Sequence, residues 1–308
     1  MIFRYEYPGG VWVDLERPTA EEIQRVAHEF SISQRIETEL LSPTPSPLVA
    51  GDESAALLVL HFPTQREVED VGIAKSQEID FVVGERFIMT VRYEVIVPLH
   101  HLKKLLETQK IVSEQHNGIT TDVLIEILFA HLYTAVRDHT DHAADSLAHV
   151  ERNMFDDHER ATVRLISNIS REFLHLEAAL ANQEEPLSRF LKALTERNFF
   201  GASFAERSER ILAEHLQVAR LVKTHRAIST ELRETNIALL EVRQNDIMKT
   251  LTIVNFIFLP LGLISWTFSM RTEGMPLIDS PHAFWIVLAL MLGVTVLLTT
   301  FFIKKRWL

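Results

Sequence analysis

An amide side chain inside an apolar segment is the first feature of this sequence that could do chemistry. Residues 251–270 carry no charge, and they include Asn255. Five residues recur at spacings of three and four and therefore share one helical face; this set, called the Asn255 stripe, comprises Met248, Leu251, Asn255, Leu259 and Gly262. An amide in a membrane helix is costly unless it faces water or a polar partner. The stripe therefore predicts either a ring of amides contacting a hydrated ion in a pore or an interhelical hydrogen bond.

A second candidate site is a helical segment rich in histidine and carboxylate side chains. His142 and Asp145 are three residues apart, a spacing at which an imidazole and a carboxylate can share a metal ion. Other polar residues fall on the same face, namely His131, Asp138 and His149. A solvated helix surface presents the same composition. If a regulatory metal site lies here, we predict His142 and Asp145 as its ligands; otherwise the face is an ordinary solvated surface.

Catalytic and nucleotide-binding signatures are absent from the sequence. It contains no Walker A motif, no Gly-x-Ser-x-Gly, no His-Glu-x-x-His and no cysteine. We therefore predict a protein that is not an enzyme and requires no cofactor. The formal net charge of −11 argues against a nucleic-acid partner and is compatible with attraction of cations.

Two uncharged segments near the C-terminus must position the Asn255 stripe. At about 1.5 Å per residue, the twenty residues 251–270 reach ~30 Å, the hydrocarbon thickness of a bilayer. Residues 283–303 form a second such segment, followed by a Lys-Lys-Arg tail. This basic tail and Lys249 favour a cytoplasmic location for both termini under the positive-inside rule. We expect a membrane hairpin; the alternative is a pair of long buried helices in a soluble protein.

The preceding residues predict a mixed α/β region and then helices. Strands are expected at 11–14 and 55–62, and a hairpin is expected from 78–83 and 86–93. Thr19 and Glu22 have the spacing of a capping box at the start of a helix. The N-terminal segment lacks the pattern of a signal peptide, so we expect this region to stay in the cytoplasm.

From about residue 98 the pattern is helical. Thr121 is expected to cap a helix that ends near Asn153. The next helix is predicted from 157 to 182, stopping before Pro186, with a short piece reaching Phe199. A single helix is then expected from 203 to 268. Its apolar stripe is expected to pack most simply on copies of itself; this stalk stripe comprises Ile211, Leu212, Val218, Leu221, Val222, Ile228, Leu232, Ile237 and Leu240.

The resulting fold class is an α+β cytoplasmic domain with a mixed sheet and helices, followed by a long helical stalk and a two-helix transmembrane hairpin. The segments predicted from the sequence are an α/β domain, a helical region, a stalk helix, a first transmembrane helix, an outer loop, a second transmembrane helix and a basic tail, at 1–97, 98–202, 203–250, 251–270, 271–282, 283–303 and 304–308.

The C-terminal motifs resemble those of the CorA family of divalent-metal transporters. The matching features are Asn245-Asp-Ile-Met-Lys249, Phe258-Leu-Pro-Leu261, Glu273-Gly-Met-Pro276 and the basic tail, with a looser match at Trp12-Val-Asp-Leu15. The resemblance implies a funnel-shaped homopentamer in a bacterial inner membrane, with the first transmembrane helix lining a pore. It also implies that Met and Leu positions of the stripe form hydrophobic constrictions, and that divalent cations are transported and regulate the protein.

The outer end of the first transmembrane helix departs from this family. Where the family has Gly-Met-Asn, this chain has Ser269, Met270 and Arg271. In a pentamer, Arg271 would place five positive charges around the entrance, which Glu273 could partly cancel. The filter is therefore expected to be altered. Mg²⁺, Zn²⁺, Co²⁺ and Ni²⁺ fit the resemblance, whereas the arginine leaves open an anion channel or a non-conducting scaffold or sensor that keeps the pentameric fold.

Overall fold

The computed structural model describes residues 1–63, 76–112, 119–154, 159–270 and 282–305. The chain divides into two compact units, Met1–Arg233 and Glu234–Leu308. The predicted fold class is confirmed, because a mixed sheet with helices is followed by a long helix and then by one shorter helix, and both of these contain a segment long and apolar enough to cross a membrane.

Six strands form the sheet of the first unit among the described residues: β1 (Ile2–Tyr7), β2 (Gly10–Glu16), β3 (Leu48–Gly51), β4 (Ala55–Pro63), β5 (Ser76–Gly84) and β6 (Phe87–Arg92). Their order is β1-β2-β6-β5-β4-β3, and β2 and β6 pair in parallel while the other neighbours are antiparallel. The predicted hairpin is confirmed as β5 and β6. The predicted strands at 11–14 and 55–62 are confirmed as β2 and β4.

Seven helices accompany these strands in the described residues: α1 (Ala20–Glu29), α2 (Gln34–Leu40), α3 (Val97–Val112), α4 (Thr121–Asn153), α5 (Glu159–Glu196), α6 (Ser203–Ser269) and α7 (Ala283–Lys304). The capping box of α1 is confirmed, because Thr19 Oγ1 accepts from Glu22 N and the Glu22 carboxylate accepts from Thr19 N. The apolar face of α1 then packs on one side of the sheet with α2, burying Val26, Ile36 and Val82 completely.

The opposite side of the sheet is covered by α4 and α5. The rings of Phe81 on β5 and Phe129 on α4 stack with centroids 5.0 Å apart. The predicted cap of α4 is wrong by one residue, because Thr120 is the N-cap and Thr121 is the first helical residue. The Thr121 hydroxyl instead accepts from Tyr7 Oη at 3.1 Å and donates to the Glu85 carbonyl, so it joins the helix to the sheet.

The prediction that a helix stops before Pro186 and a separate piece follows is wrong, since α5 runs through Pro186 to Glu196. A proline inside a helix costs about 3 kcal/mol. Four buried side chains continue the same face on both sides of it, and each large apolar one contributes ~1.5–3 kcal/mol; they are Gln183, Leu187, Phe190 and Leu194. Tertiary packing therefore outweighs the local break. Gly201, with φ +73°, lies in the connection to α6.

The expectation that the stalk stripe packs on copies of itself is wrong for much of its length. Ile211, Val218 and Val222 are buried within the same chain. Two side-chain contacts identify a partner in α5: His215 Nε2 lies 3.0 Å from the Leu180 carbonyl oxygen, and the His225 ring stacks on Phe173. Other stripe residues, such as Ile228 and Ile237, are exposed.

The second unit contains the C-terminal part of α6 together with α7. Both α6 and α7 contain segments long and apolar enough to cross a membrane. The Phe256 ring on α6 contacts the Phe302 ring on α7, and their centroids are 6.2 Å apart. Among the described residues of this unit, Ile253 and Phe302 are the only buried apolar side chains.

Candidate functional site

The Asn255 stripe lies on an exposed face of α6 in the single chain. Met248, Leu251 and Leu259 expose 53%, 52% and 72% of their surface, respectively. Asn255 is also exposed, and its side chain makes no hydrogen bond to any residue that the structure describes. Gly262 is half-buried, and a methyl group added at its Cα would meet only the Trp266 ring, at 4.0 Å.

The helix α7 contacts α6 through the rings of Phe302 and Phe256. Ile253, which is 5% exposed, lies about 160° around the helix from Asn255 at 100° per residue. The stripe residues Met248, Leu251, Asn255 and Leu259 are exposed, so no described part of the chain covers them. The Asn255 side chain also makes no hydrogen bond to the described residues of α7. The alternative of an interhelical hydrogen bond would therefore require a second copy of the chain.

The chemistry available on this face is that of one amide between apolar side chains. An exposed amide offers a carbonyl oxygen and an NH₂ group to water or to the hydration shell of an ion. Met and Leu on either side offer no polar atoms comparable to these, and a narrow ring of such residues gates a pore by excluding water. The arrangement suits passage of a hydrated ion rather than bond-making chemistry.

A concavity of about 450 Å³ lies beside the N-terminal start of the stripe, lined by Val242, Asn245, Asp246, Met248, Lys249 and Thr252. In it the Lys249 ammonium contacts the Asp246 carboxylate at 3.0 Å, with both side chains more than half exposed. The sequence analysis used Lys249 only for membrane orientation. The pair means that this basic charge is balanced locally.

The predicted outer filter is described only in part. Ser269 is the last residue of α6, and Met270 follows it, 65% exposed, with its backbone N–H donating to the Thr267 carbonyl. Arg271 and Glu273 lie outside the described residues, so the predicted charged ring stays a prediction.

The predicted metal pair on α4 is solvent-exposed. His142 and Asp145 both lie on the outer face of this helix. In the part of the chain that the structure describes, no three His, Asp or Glu side chains are grouped so that they could hold a metal ion. The neighbouring His139 is instead buried, with Nε2 2.6 Å from Glu172 Oε1 on α5. The assignment of His142 and Asp145 as regulatory ligands thus remains a prediction.

The sequence analysis missed a buried ion cluster at the centre of the sheet. Asp14 on β2 is fully buried and contacts Arg92 Nη2 at 3.1 Å, Lys103 Nζ at 2.6 Å and the Thr90 hydroxyl at 2.7 Å. Arg92 also contacts Glu16 at 2.5 Å. The only sequence signal was Asp14 within the Trp-Val-Asp-Leu motif. The cluster ties β2, β6 and α3 together and lies in the first unit.

A second buried acidic pair lies on the other side of the sheet. Burial and the nearby charge of Glu78 raise the pKa of Asp80 well above its usual range. Burial by itself raises the pKa of Glu78, but hydrogen bonds from His61 and Thr44 outweigh it and lower the pKa of Glu78 overall. Thr44 N lies 2.9 Å from the Glu78 carboxylate, and Tyr93 Oη donates to Asp80. Asp80 therefore binds a proton more readily than Glu78 does, and the Glu78 carboxylate holds the segment around Thr44.

Comparison with known proteins gives a consistent result. The family model described as "CorA-like Mg2+ transporter protein" matches residues 8–306. The cobalt/magnesium transport protein CorA of Methanocaldococcus jannaschii is 23% identical over 305 residues, which cover 97% of this chain and 91% of that protein. The cobalt/magnesium transport protein CorA of Thermotoga maritima is 23% identical over 295 residues, covering 93% and 80%, respectively.

Two solved structures share the fold. The complete structure of the CorA magnesium transporter from Methanocaldococcus jannaschii has a TM-score of 0.79 at 21% identity, covering 99% of this chain and 94% of that one. The full-length CmaX protein has a TM-score of 0.71 at 18% identity, covering 98% and 90%. Because the family model spans nearly all of the sequence, this protein belongs to the CorA-like Mg²⁺ transporter family.

Proposed function

We propose that this chain forms a homopentameric membrane transporter that conducts divalent metal cations passively along a central pore. The observation that carries the proposal is the Asn255 stripe, which lies exposed along one face of α6 in a chain of the CorA-like family. Relatives named as cobalt/magnesium and magnesium transport proteins support the substrate class.

In this proposal, five copies of the stripe surround a shared aqueous axis. The amides of Asn255 contact the water shell of the passing ion, and Met248, Leu251 and Leu259 form apolar constrictions that stop conduction when water is excluded. No resident cofactor is required, because the membrane potential supplies about 2.3 kcal/mol per charge per 100 mV. Cytoplasmic cation binding between protomers, with His142 and Asp145 as candidate ligands, shifts the closed–open equilibrium by differential affinity.

We place the protein in a bacterial inner membrane with both termini in the cytoplasm. The basic tail and Lys249 support this orientation. The partners are then the lipid bilayer, four further copies of the chain and the transported ion, without nucleic acid.

The outer entrance sets the choice of ion in this proposal. Five Arg271 side chains ~10 Å from a divalent ion repel it by about 4 kcal/mol in water without salt, and by about 1 kcal/mol at physiological ionic strength. Such a barrier slows cation entry without preventing it. Mg²⁺, Zn²⁺, Co²⁺ and Ni²⁺ are the candidate substrates, and an anion is the candidate if the arginine ring dominates.

A second candidate function is a non-conducting scaffold or sensor with the same pentameric fold. Ser269-Met270-Arg271 in place of the family signature favours this alternative. It keeps the assembly and loses the ion path.

Ion flux into proteoliposomes tests the proposal. We expect uptake of at least one divalent cation and a higher flux for Arg271→Asn, because the substitution removes the ring of charge. Silence for all ions favours the scaffold, and unchanged flux in the variant removes the ring from the mechanism. The mass of the complex in detergent is a further test, since a monomer contradicts both candidates.

A further inference from the structure

A basic cleft lies between α5 and α6 in the first unit, away from the features used above. Its volume is about 270 Å³. Three arginines and three hydroxyl-bearing residues line it: Arg171, Arg226, Arg233, Ser167, Ser170 and Thr230. The protein as a whole carries a net charge of −11, so this concentration of positive charge is a local exception.

Two of the three guanidinium groups in the cleft are uncommitted. Arg226 contacts the carboxylate of Glu177 through Nη1. Arg171 and Arg233 are exposed and form no ion pair with any residue that the structure describes. Like charges that line one small cleft repel each other. Because Glu177 neutralises only one of them, an anion bound in the cleft would relieve the remaining repulsion.

One of the three hydroxyl groups, that of Ser167, is available to an anion, and the other two are engaged within the protein. The Thr230 hydroxyl donates to the Arg226 carbonyl at 3.1 Å, and the Ser170 hydroxyl shares a hydrogen bond with Ser229. Ser167 makes no hydrogen bond through its side chain to a described residue and is free to donate. Arginine forks match the oxygen geometry of phosphate, and the forks here come from both helices.

The size of the cleft selects a small ligand. Its volume lies just below the ~300 Å³ at which pockets for drug-sized molecules begin. We infer that the cleft binds a phosphate group, either as inorganic phosphate or pyrophosphate or as the terminal phosphates of a nucleotide. The ligand bridges α5 and α6 through Arg171 and Arg233.

Direct titration of the full-length protein in detergent tests this site. Inorganic phosphate, pyrophosphate and ATP are titrated separately at constant ionic strength set with chloride, and binding is followed by calorimetry. We expect saturable binding with pyrophosphate tighter than phosphate, because two phosphate groups can contact both free arginines. Comparison of ATP with pyrophosphate shows whether the source is a nucleotide. The same ligands should raise the unfolding temperature, since they bind the folded state.

Matched variants separate the cleft from general charge. Arg171→Gln and Arg233→Gln are each expected to weaken binding about tenfold, since each removes a charge-assisted contact. Arg164→Gln and Arg220→Gln are the controls, because both arginines are exposed on the same two helices outside the cleft. The controls should change the Kd by less than about twofold.

A conservative variant distinguishes the arginine fork from its charge. Arg171→Lys keeps the charge and loses the fork, so its Kd should fall between those of the native protein and Arg171→Gln. The inference is overturned if no ligand binds saturably up to about 10 mM, if chloride competes as well as phosphate, or if the controls weaken binding as much as the cleft variants.

Discussion

The two compact units of this chain differ in where their side chains find partners. In the first unit, the buried carboxylate of Asp14 pairs with the buried Arg92 and Lys103, and helices cover both faces of the sheet. In the second, large apolar side chains such as Leu259, Trp266 and Phe284 are more than two-thirds exposed. The first unit buries its apolar core within one chain. The second unit leaves large apolar side chains exposed in the single chain.

This difference indicates what the second unit requires. Exposed apolar patches of this extent mark membrane or protein contact surfaces. An exposed face with only apolar side chains suits contact with lipid. The Asn255 stripe does not, because an amide side chain is costly in lipid. This difference supports our proposal that the functional surface is the Asn255 stripe of the second unit. Four predictions test this difference between the two units. They are given in order of the expected change in the free energy of unfolding, from the largest to the smallest.

The strongest test of the first unit is Asp14→Ala. This change leaves Lys103 buried without its carboxylate and leaves Arg92 with Glu16 alone, and breaking a buried pair in this way typically costs about 3–5 kcal/mol. Thermal or urea unfolding of the full chain in detergent measures the loss. Glu29→Ala is the matched control, because it breaks the exposed ion pair with Arg4 and should cost less than about 1 kcal/mol. Equal losses for the two variants would contradict a self-contained core.

A smaller effect is expected for Tyr133→Phe. The buried Tyr133 hydroxyl donates to Gln183 Oε1, and Gln183 Nε2 donates to the His61 carbonyl at 2.7 Å. The substitution leaves the Gln183 oxygen unpaired inside the protein, at a cost of about 1–3 kcal/mol. The same unfolding assay measures it. A loss under about 0.5 kcal/mol would mean that water satisfies this oxygen and that the interior is less closed than described.

How much of this was predictable depends on whether the signal was local. The capping box at Thr19 and Glu22 and the β5–β6 hairpin are set by residues close in sequence, and both were predicted correctly. Pro186 was misjudged, because packing of residues on both sides of it outweighs its local preference. The stalk stripe was misjudged for a related reason: its spacing shows an apolar face and does not identify the partner.

The buried clusters were not predictable from spacing at all. Asp14 and Arg92 are 78 residues apart in sequence and meet only because β2 and β6 pair in parallel. His139 lies next to the predicted metal-binding face of α4, yet it is paired with Glu172 on α5. For the Asn255 stripe, the spacing of the residues predicted that they share one face of a helix. A pore, however, requires copies of the chain that no spacing within one copy can place.

The third prediction concerns pH and Asp80. Folding raises the pKa of Asp80, mainly by burial, so its stabilising contribution is complete below the unfolded pKa of about 3.9 and is lost as pH rises toward the raised value. Asp80→Asn cannot ionise. We expect this variant to show a shallower fall in stability as pH rises above ~4. Unfolding midpoints across this window measure it, and an unchanged slope would mean that another group holds the proton.

The smallest stability effect and the most direct functional test come from Asn255→Leu. The Asn255 side chain has no hydrogen-bond partner among the described residues, so we expect the free energy of unfolding to change by less than about 0.5 kcal/mol. Thr267→Val is the matched control, because Thr267 lies about 120° around α6 and its hydroxyl donates to the Leu263 carbonyl of its own helix.

Divalent-cation flux into proteoliposomes, compared among the native chain, Asn255→Leu and Thr267→Val, tests the central claim. The account predicts uptake by the native chain, near-complete loss in Asn255→Leu and retention in Thr267→Val. Native-level flux in Asn255→Leu would contradict the assignment of this face of α6 as the ion path.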